Sequence, residues 1–203
     1  MTEWLGSIAL LAFVMAATPG PNNLIFAASG ASSGFWRTVP MLAGMLLGFV
    51  ALVAIGLAGA GGLWATIPGS RLVLTAGAST YLAFLAYRLW HAVPPASAAG
   101  AADPTAFMRW WQMALFQVAN PKTLLAVMAF ITGKLGPNSP SDHGDATQLL
   151  GAACFLLVVA ASASLWTLFG AALRSRLRGR SWQRAMRVMA GLAVLTIPTF
   201  WWT

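Results

Sequence analysis

The sequence predicts an all-α integral membrane protein of six transmembrane helices, arranged as two inverted three-helix repeats, with the first and fourth helices broken at proline-containing motifs. Three observations lead there. The 203-residue chain is 59% hydrophobic and 8% charged, whereas soluble domains carry about 25% charged residues. It divides into six apolar stretches long enough to cross a bilayer, which takes about 20 residues as a helix. Two of those stretches are interrupted, about 100 residues apart, by similar polar and proline residues, "TPGPNN" in the first and "ANPK" in the fourth.

The first segment runs from Trp4 to Ala31. Its "MTEW" opening offers an acid where a signal peptide has a positive region, and the apolar run resumes past the prolines, so a cleaved leader is not expected. The second segment, Pro40 to Trp64, opens on a proline, which a helix tolerates at its first position. The third, Arg71 to Trp90, follows Ser70 as an N-cap. The stretch "HAVPPASAAGAADPT" then supplies a linker, about residues 94–103, dividing a single transmembrane domain (1–203) into halves of about 1–93 and 104–203. The fourth segment runs from Pro104 to Lys134 with Asp103 as its cap, the fifth from Thr147 to Leu173 and the sixth from Trp182 to Trp202.

Basic residues orient these segments. Arg37, Arg88, Arg109 and the cluster from Arg174 to Arg187 fall on one side, with only Arg71 and Lys134 opposite. By the positive-inside rule the richer side is cytoplasmic and both termini lie outside. The same rule accounts for the net charge of +8, so no nucleic-acid partner is expected. The basic fifth loop, "RSRLRGRSWQRAMR", reads as a topology anchor that meets anionic head groups of the lipid bilayer.

The breaks carry the functional argument. Proline lacks a backbone donor and clashes with the preceding turn, so Pro19 and Pro21 interrupt any helix passing through them. Asn22 and Asn23 stand beside that interruption, and Asn120, Pro121 and Lys122 repeat the theme. One proline alone reads most simply as a kink. Two matched breaks, both with asparagines and one with an intramembrane lysine, point instead to a carrier. Three helices per half is an odd number, so the second half crosses in the opposite sense. Inverted repeats with discontinuous helices place a solute at the repeat interface near the bilayer midplane. The candidate solute-binding residues are therefore Pro19, Gly20, Pro21, Asn22, Asn23, Asn120, Pro121 and Lys122.

Charge narrows the solute. Glu3, Asp103, Asp142 and Asp145 are the only acids, and all fall at the terminus or in loops. A dicationic solute would need a carboxylate at depth, because an unpaired charge in a low-dielectric site is costly. A zwitterionic or anionic small molecule is expected, with Lys122 meeting its carboxylate, the asparagines hydrogen-bonding it, and freed carbonyls available to an amino group. Whether Lys122 binds solute, titrates or snorkels to an interface stays open at the level of sequence.

Other residues have structural readings. Gly44 and Gly48 form a GxxxG pair suited to close helix packing and compatible with a homodimer. Trp64, Trp90, Trp110, Trp111, Trp182, Trp201 and Trp202 sit near segment ends, as an aromatic belt does. Cys154 is the only cysteine, which excludes an intrachain disulfide, a redox pair or a thiolate zinc site. His91 and His143 fall at edges or in loops, so no buried nucleophile and base, haem ligand or metal cluster is in view. No enzyme activity, cofactor or metal is expected. The competing readings are a non-transporting membrane scaffold and efflux of another small solute or ion, the latter lacking the carboxylate, histidine or thiolate cluster that cations need.

These motifs also carry a family resemblance. "TPGPNNLIFAASGASSGFWRTVPMLAGMLLGF" resembles the opening of the LysE/RhtB-type amino-acid exporters, "LTAGASTYLAFLAYRLW" is similar to their third helix, and "FMRWWQMALFQVANPKTLLAVMAF" to their fourth. The resemblance implies a bacterial inner-membrane secondary carrier that exports amino acids or related metabolites, driven by the proton gradient. Pro19, Gly20, Pro21, Asn22, Asn120, Pro121 and Lys122 match the family motifs and would line its pathway. Two departures stand out. "ITGKLGPNSP" replaces a Pro-Gln-Phe-like end of the fourth helix, and "GMLLGFVAL" lacks the acid some relatives carry in the second.

Overall fold

The computed structural model describes residues 2–17, 20–57, 69–91, 108–132, 145–176, 179–195 and 197–198. These form eight α-helices, with no strand among the described residues: α1 (Thr2–Ala17), α2 (Pro21–Ser33), α3 (Phe35–Leu57), α4 (Ser70–Trp90), α5 (Trp110–Ala119), α6 (Pro121–Phe130), α7 (Asp145–Arg176) and α8 (Gly179–Leu195). Phe35–Gly56 and Ala146–Arg174 are each long and apolar enough to cross a membrane. At 1.5 Å per residue, the 23 residues of α3 reach about 35 Å, more than the ~30 Å of a hydrocarbon core. Counting each bent pair, α1 with α2 and α5 with α6, as one span raises the number to four. The linker at 94–103 and most of the 136–145 loop lie outside the described residues.

Both breaks fall where the prolines and asparagines put them. The axis turns by 64° between α1 and α2 and by 73° between α5 and α6. Pro21 opens α2 after an extended Gly20, a position where the missing N–H is one that the helix leaves unpaired anyway. Asn120 closes α5 and caps α6, its side-chain oxygen accepting the backbone N–H of Lys122 at 3.1 Å. The carbonyl of Ala16, freed where α1 ends, accepts from Asn23 Nδ2 at 2.8 Å and from Ser162 Oγ of α7 at 2.9 Å. Its two lone pairs are thus used by the protein, so this freed carbonyl is not available to a solute amino group.

The α2 helix is the centre of the fold. Eleven of its 13 residues are buried, which leaves it no face for lipid. It packs chiefly on α7 and also meets α3, α4 and α8. The approach to α7 is governed by two glycines, since a Cβ at Gly30 would overlap the Thr167 carbonyl and one at Gly170 the Ala27 carbonyl. Small residues permit such contact, and in a membrane van der Waals packing is what joins helices. Apolar side chains such as Phe13, Val73, Leu149, Leu157, Leu165 and Phe169 are exposed around this core, as lipid-facing residues are.

Three sequence-based expectations need correction. Pro40 does not start the second long helix: α3 begins at Phe35, after Gly34 turns the chain at φ 84°, and Pro40 sits inside it. The proline withholds a donor from the Trp36 carbonyl, and Trp36 is 83% exposed, so the loss falls at the surface. Ser70 is the first residue of α4 rather than its cap, because Gly69 takes the left-handed conformation at φ 78° that a serine disfavours. Trp182 is 1% exposed and belongs to the core, whereas Trp36, Trp90 and Trp110 are exposed. The Gly44–Gly48 pair, by contrast, serves the close helix packing expected of it, and does so within the chain. A Cβ at either would strike α5, at the carbonyl of Trp110 or of Ala114, so the pair gives no support to a homodimer.

Candidate functional site

The two breaks meet. Asn22, in the first turn of α2, donates from Nδ2 to Gln117 Oε1 of α5 at 2.8 Å, and its Oδ1 accepts from Asn120 Nδ2 at 3.1 Å. These partners lie 95 and 98 residues away in sequence. Lys122 completes the junction. Its side chain runs along Gly20, so that a Cβ there would come within 3.0 Å of both Cδ and Nζ. A lysine from the second break therefore lies against the backbone of the first.

A cavity of about 460 Å³, its mouth included, opens beside this junction. One wall is polar, made by Asn22, Asn23, Asn120, Lys122 and Thr123. The other is apolar, made by Met15, Met45, Phe49, Phe155 and Val159. Phe155 is stacked on Phe130 at 4.5 Å and tilted against Phe49 at 6.1 Å. No carboxylate lines the cavity among the described residues. Two helix N-termini, of α2 and α6, begin at its edge, and their partial positive charge adds to that of Lys122.

Of the residues singled out from sequence, Gly20, Asn22, Asn23, Asn120 and Lys122 line this cavity, and Pro21 and Pro121 open the two helices beside it. Pro19 lies outside the described residues. Sequence reasoning passed over Gln117 and Thr123. Gln117 is fully buried, and Thr123 Oγ1 donates to its Oε1 at 3.0 Å. A signal was present, because Gln117 stands three residues before Asn120 and so shares its helix face. The apolar wall was also missed, its members being scattered over α1, α3 and α7.

A family model described as LysE type translocator matches residues 13–200, taking in both breaks and the cavity. The chain belongs to the LysE type translocator family. Among curated relatives it is 34% identical over 114 residues to the cysteine/O-acetylserine efflux protein of Escherichia coli K12, 55% of each chain. Proteins of the same name from Shigella flexneri and from Escherichia coli O1:K1 match at 34% over 114 residues and 33% over 113, again 55% of each chain. The alignment thus spans about half the length of the curated relatives it matches. No solved structure gives a significant match. Within this translocator, the junction of Asn22, Asn120 and Lys122 is where the two motifs that carried the resemblance come into contact.

Proposed function

We propose that the protein is a secondary carrier exporting a small zwitterionic amino acid, or a related metabolite, across the bacterial inner membrane. The observation that carries this reading is the bipolar cavity at the junction of the two breaks. Its polar wall suits a carboxylate, offering the Lys122 ammonium, asparagine N–H groups and two helix N-termini. Its apolar wall suits a short uncharged side chain. The names of the relatives support amino-acid-type solutes and the outward direction.

The proposal includes six crossings in two inverted halves with both termini outside. The packing supports two matching halves, for the first bent pair lies on α7 and the second on α3, while α3 meets α7 and α4 meets α8. Arg187 of α8 lies over the Trp90 ring of α4 at 5.2 Å in that last contact. It also includes coupling to the proton gradient, carried by Lys122 as the one ionisable side chain lining the cavity among the described residues.

Efflux from proteoliposomes loaded with radiolabelled amino acids tests the reading. Small neutral amino acids are expected to leave at least about tenfold faster than lysine or arginine, since a second cation would meet no carboxylate. An imposed pH gradient is expected to change the rate. Equal efflux of basic and neutral amino acids would contradict the charge argument, and no flux of any class from inserted protein would return the weight to a scaffold.

A further inference from the structure

Gln117 does not line the cavity, yet its side chain bonds to residues of both breaks, Asn22 of the first and Thr123 of the second. It is fully buried and fits into space left by Gly48, where a Cβ would come within 2.7 Å of its Cγ. Its Oε1 accepts from Asn22 Nδ2 at 2.8 Å and from Thr123 Oγ1 at 3.0 Å. Its Nε2 donates to the Met113 carbonyl at 3.0 Å and approaches Asn22 Oδ1 at 3.4 Å. A glutamine amide offers two acceptor sites and two donors. All four are used on the protein, so nothing remains for a solute.

The order of these bonds has a direction. A backbone carbonyl can only accept, so Met113 obliges Gln117 to present Nε2 to it and Oε1 to Asn22. Asn22 must then offer Nδ2 to Gln117, which aims its Oδ1 at Asn120. Asn120 in turn offers Nδ2 to Asn22 and keeps Oδ1 for the backbone N–H of Lys122, which can only donate. Two backbone groups at the ends of the chain of bonds thus fix three amides between them. Asn22 and Asn120 are each left with a second Nδ2 hydrogen, and both residues line the cavity.

We propose that Gln117 is the positioning residue that couples the two helix breaks and determines which way their asparagine amides face. It makes the polar wall a surface of donors, which suits a carboxylate, and in this respect the inference rests on the export reading above. The coupling itself does not. Gln117→Met keeps length and bulk while removing all four bonds; Gln117→Glu keeps the two accepted bonds and sets an oxygen against the Met113 carbonyl.

Hydrogen exchange by mass spectrometry, on protein in lipid nanodiscs, tests the coupling without any solute. Gln117→Met is expected to speed exchange about tenfold or more in both first turns, residues 22–26 of α2 and 122–126 of α6, with α4 and α8 unchanged. Unchanged exchange at 22–26 would overturn the proposal whether or not any solute moves. Should Gln117→Met fail to fold, Gln117→Glu carries the same readout. In proteoliposomes, Gln117→Met is expected to raise KM for L-cysteine about tenfold with kcat within about threefold, and to remove discrimination against cysteamine, which lacks the carboxylate. An equal fall in kcat for both compounds would overturn the positioning role. Absence of cysteine flux in the unsubstituted protein would count against the export reading, while exchange still decides the coupling.

Discussion

Lys122→Gln is expected to lower amino-acid efflux about a hundredfold at low solute concentration while the protein still inserts and folds. A hydrogen bond to a charged group contributes about 1.5–3 kcal/mol, and each 1.4 kcal/mol is tenfold. The upper end applies here, because the Lys122 side chain lies against Gly20 in a half-buried position where little water screens it. Glutamine retains a donor but loses the charge that a carboxylate would meet. Lys122→Arg is not expected to restore flux, since the guanidinium is broader and planar and the lysine it replaces already lies along Gly20. Initial rates in proteoliposomes, normalised to inserted protein, measure both. Efflux within threefold of the unsubstituted protein would remove Lys122 from the site.

The second large effect is on folding. Gly30→Val and Gly170→Val are expected to yield no monodisperse protein in mild detergent. A side chain at either position would overlap a backbone carbonyl of the facing helix, Thr167 or Ala27, and backbone cannot rotate aside. Even Gly170→Ala must push α2 and α7 apart, and overpacking of this kind costs about 1–3 kcal/mol or more. Gly77→Ala on α4 is the control, because nothing lies within 4 Å of its Cβ and the helix gains about 0.5–1 kcal/mol in propensity. Thermal midpoints by size-exclusion chromatography compare the two. Equal midpoints for Gly170→Ala and Gly77→Ala would mean that α2 is not wedged as described.

How far the fold could be read in advance depended on what each residue does to the backbone. Pro21 and Pro121 act through a missing N–H and a steric clash, effects that hold in any environment, so both breaks were legible. Pro40 misled because the same missing donor costs little at an exposed position, and the true boundary, Gly34, was one glycine among 20. Trp182 stands among arginines and reads locally as an interface aromatic. Yet Trp182, Met186, Met189, Ala190 and Ala193 follow helical spacing and are all buried, a face the sequence contained.

The site divides along the same line. Asn22, Asn120 and Lys122 stood out because polar residues are rare in apolar runs. Gln117 was equally polar but lacked a neighbouring proline to draw attention, and its role exists only through Asn22, far away in sequence. The glycines show the opposite case. The Gly44–Gly48 spacing announced close packing correctly, but no spacing states whether the partner is α5 or another copy of the chain.

The central claim is that the solute occupies the cavity between the two breaks, and thiol protection tests it most directly. Ala126→Cys on α6 and Ala163→Cys on α7, each in a Cys154→Ala background, place single thiols on the cavity lining. A saturating concentration of a transported amino acid is expected to slow alkylation of both at least about fivefold, while a thiol at exposed Gln183, in the basic segment at the start of α8, reacts as before. Unchanged alkylation at both lining positions, in protein that demonstrably transports the solute, would contradict the account.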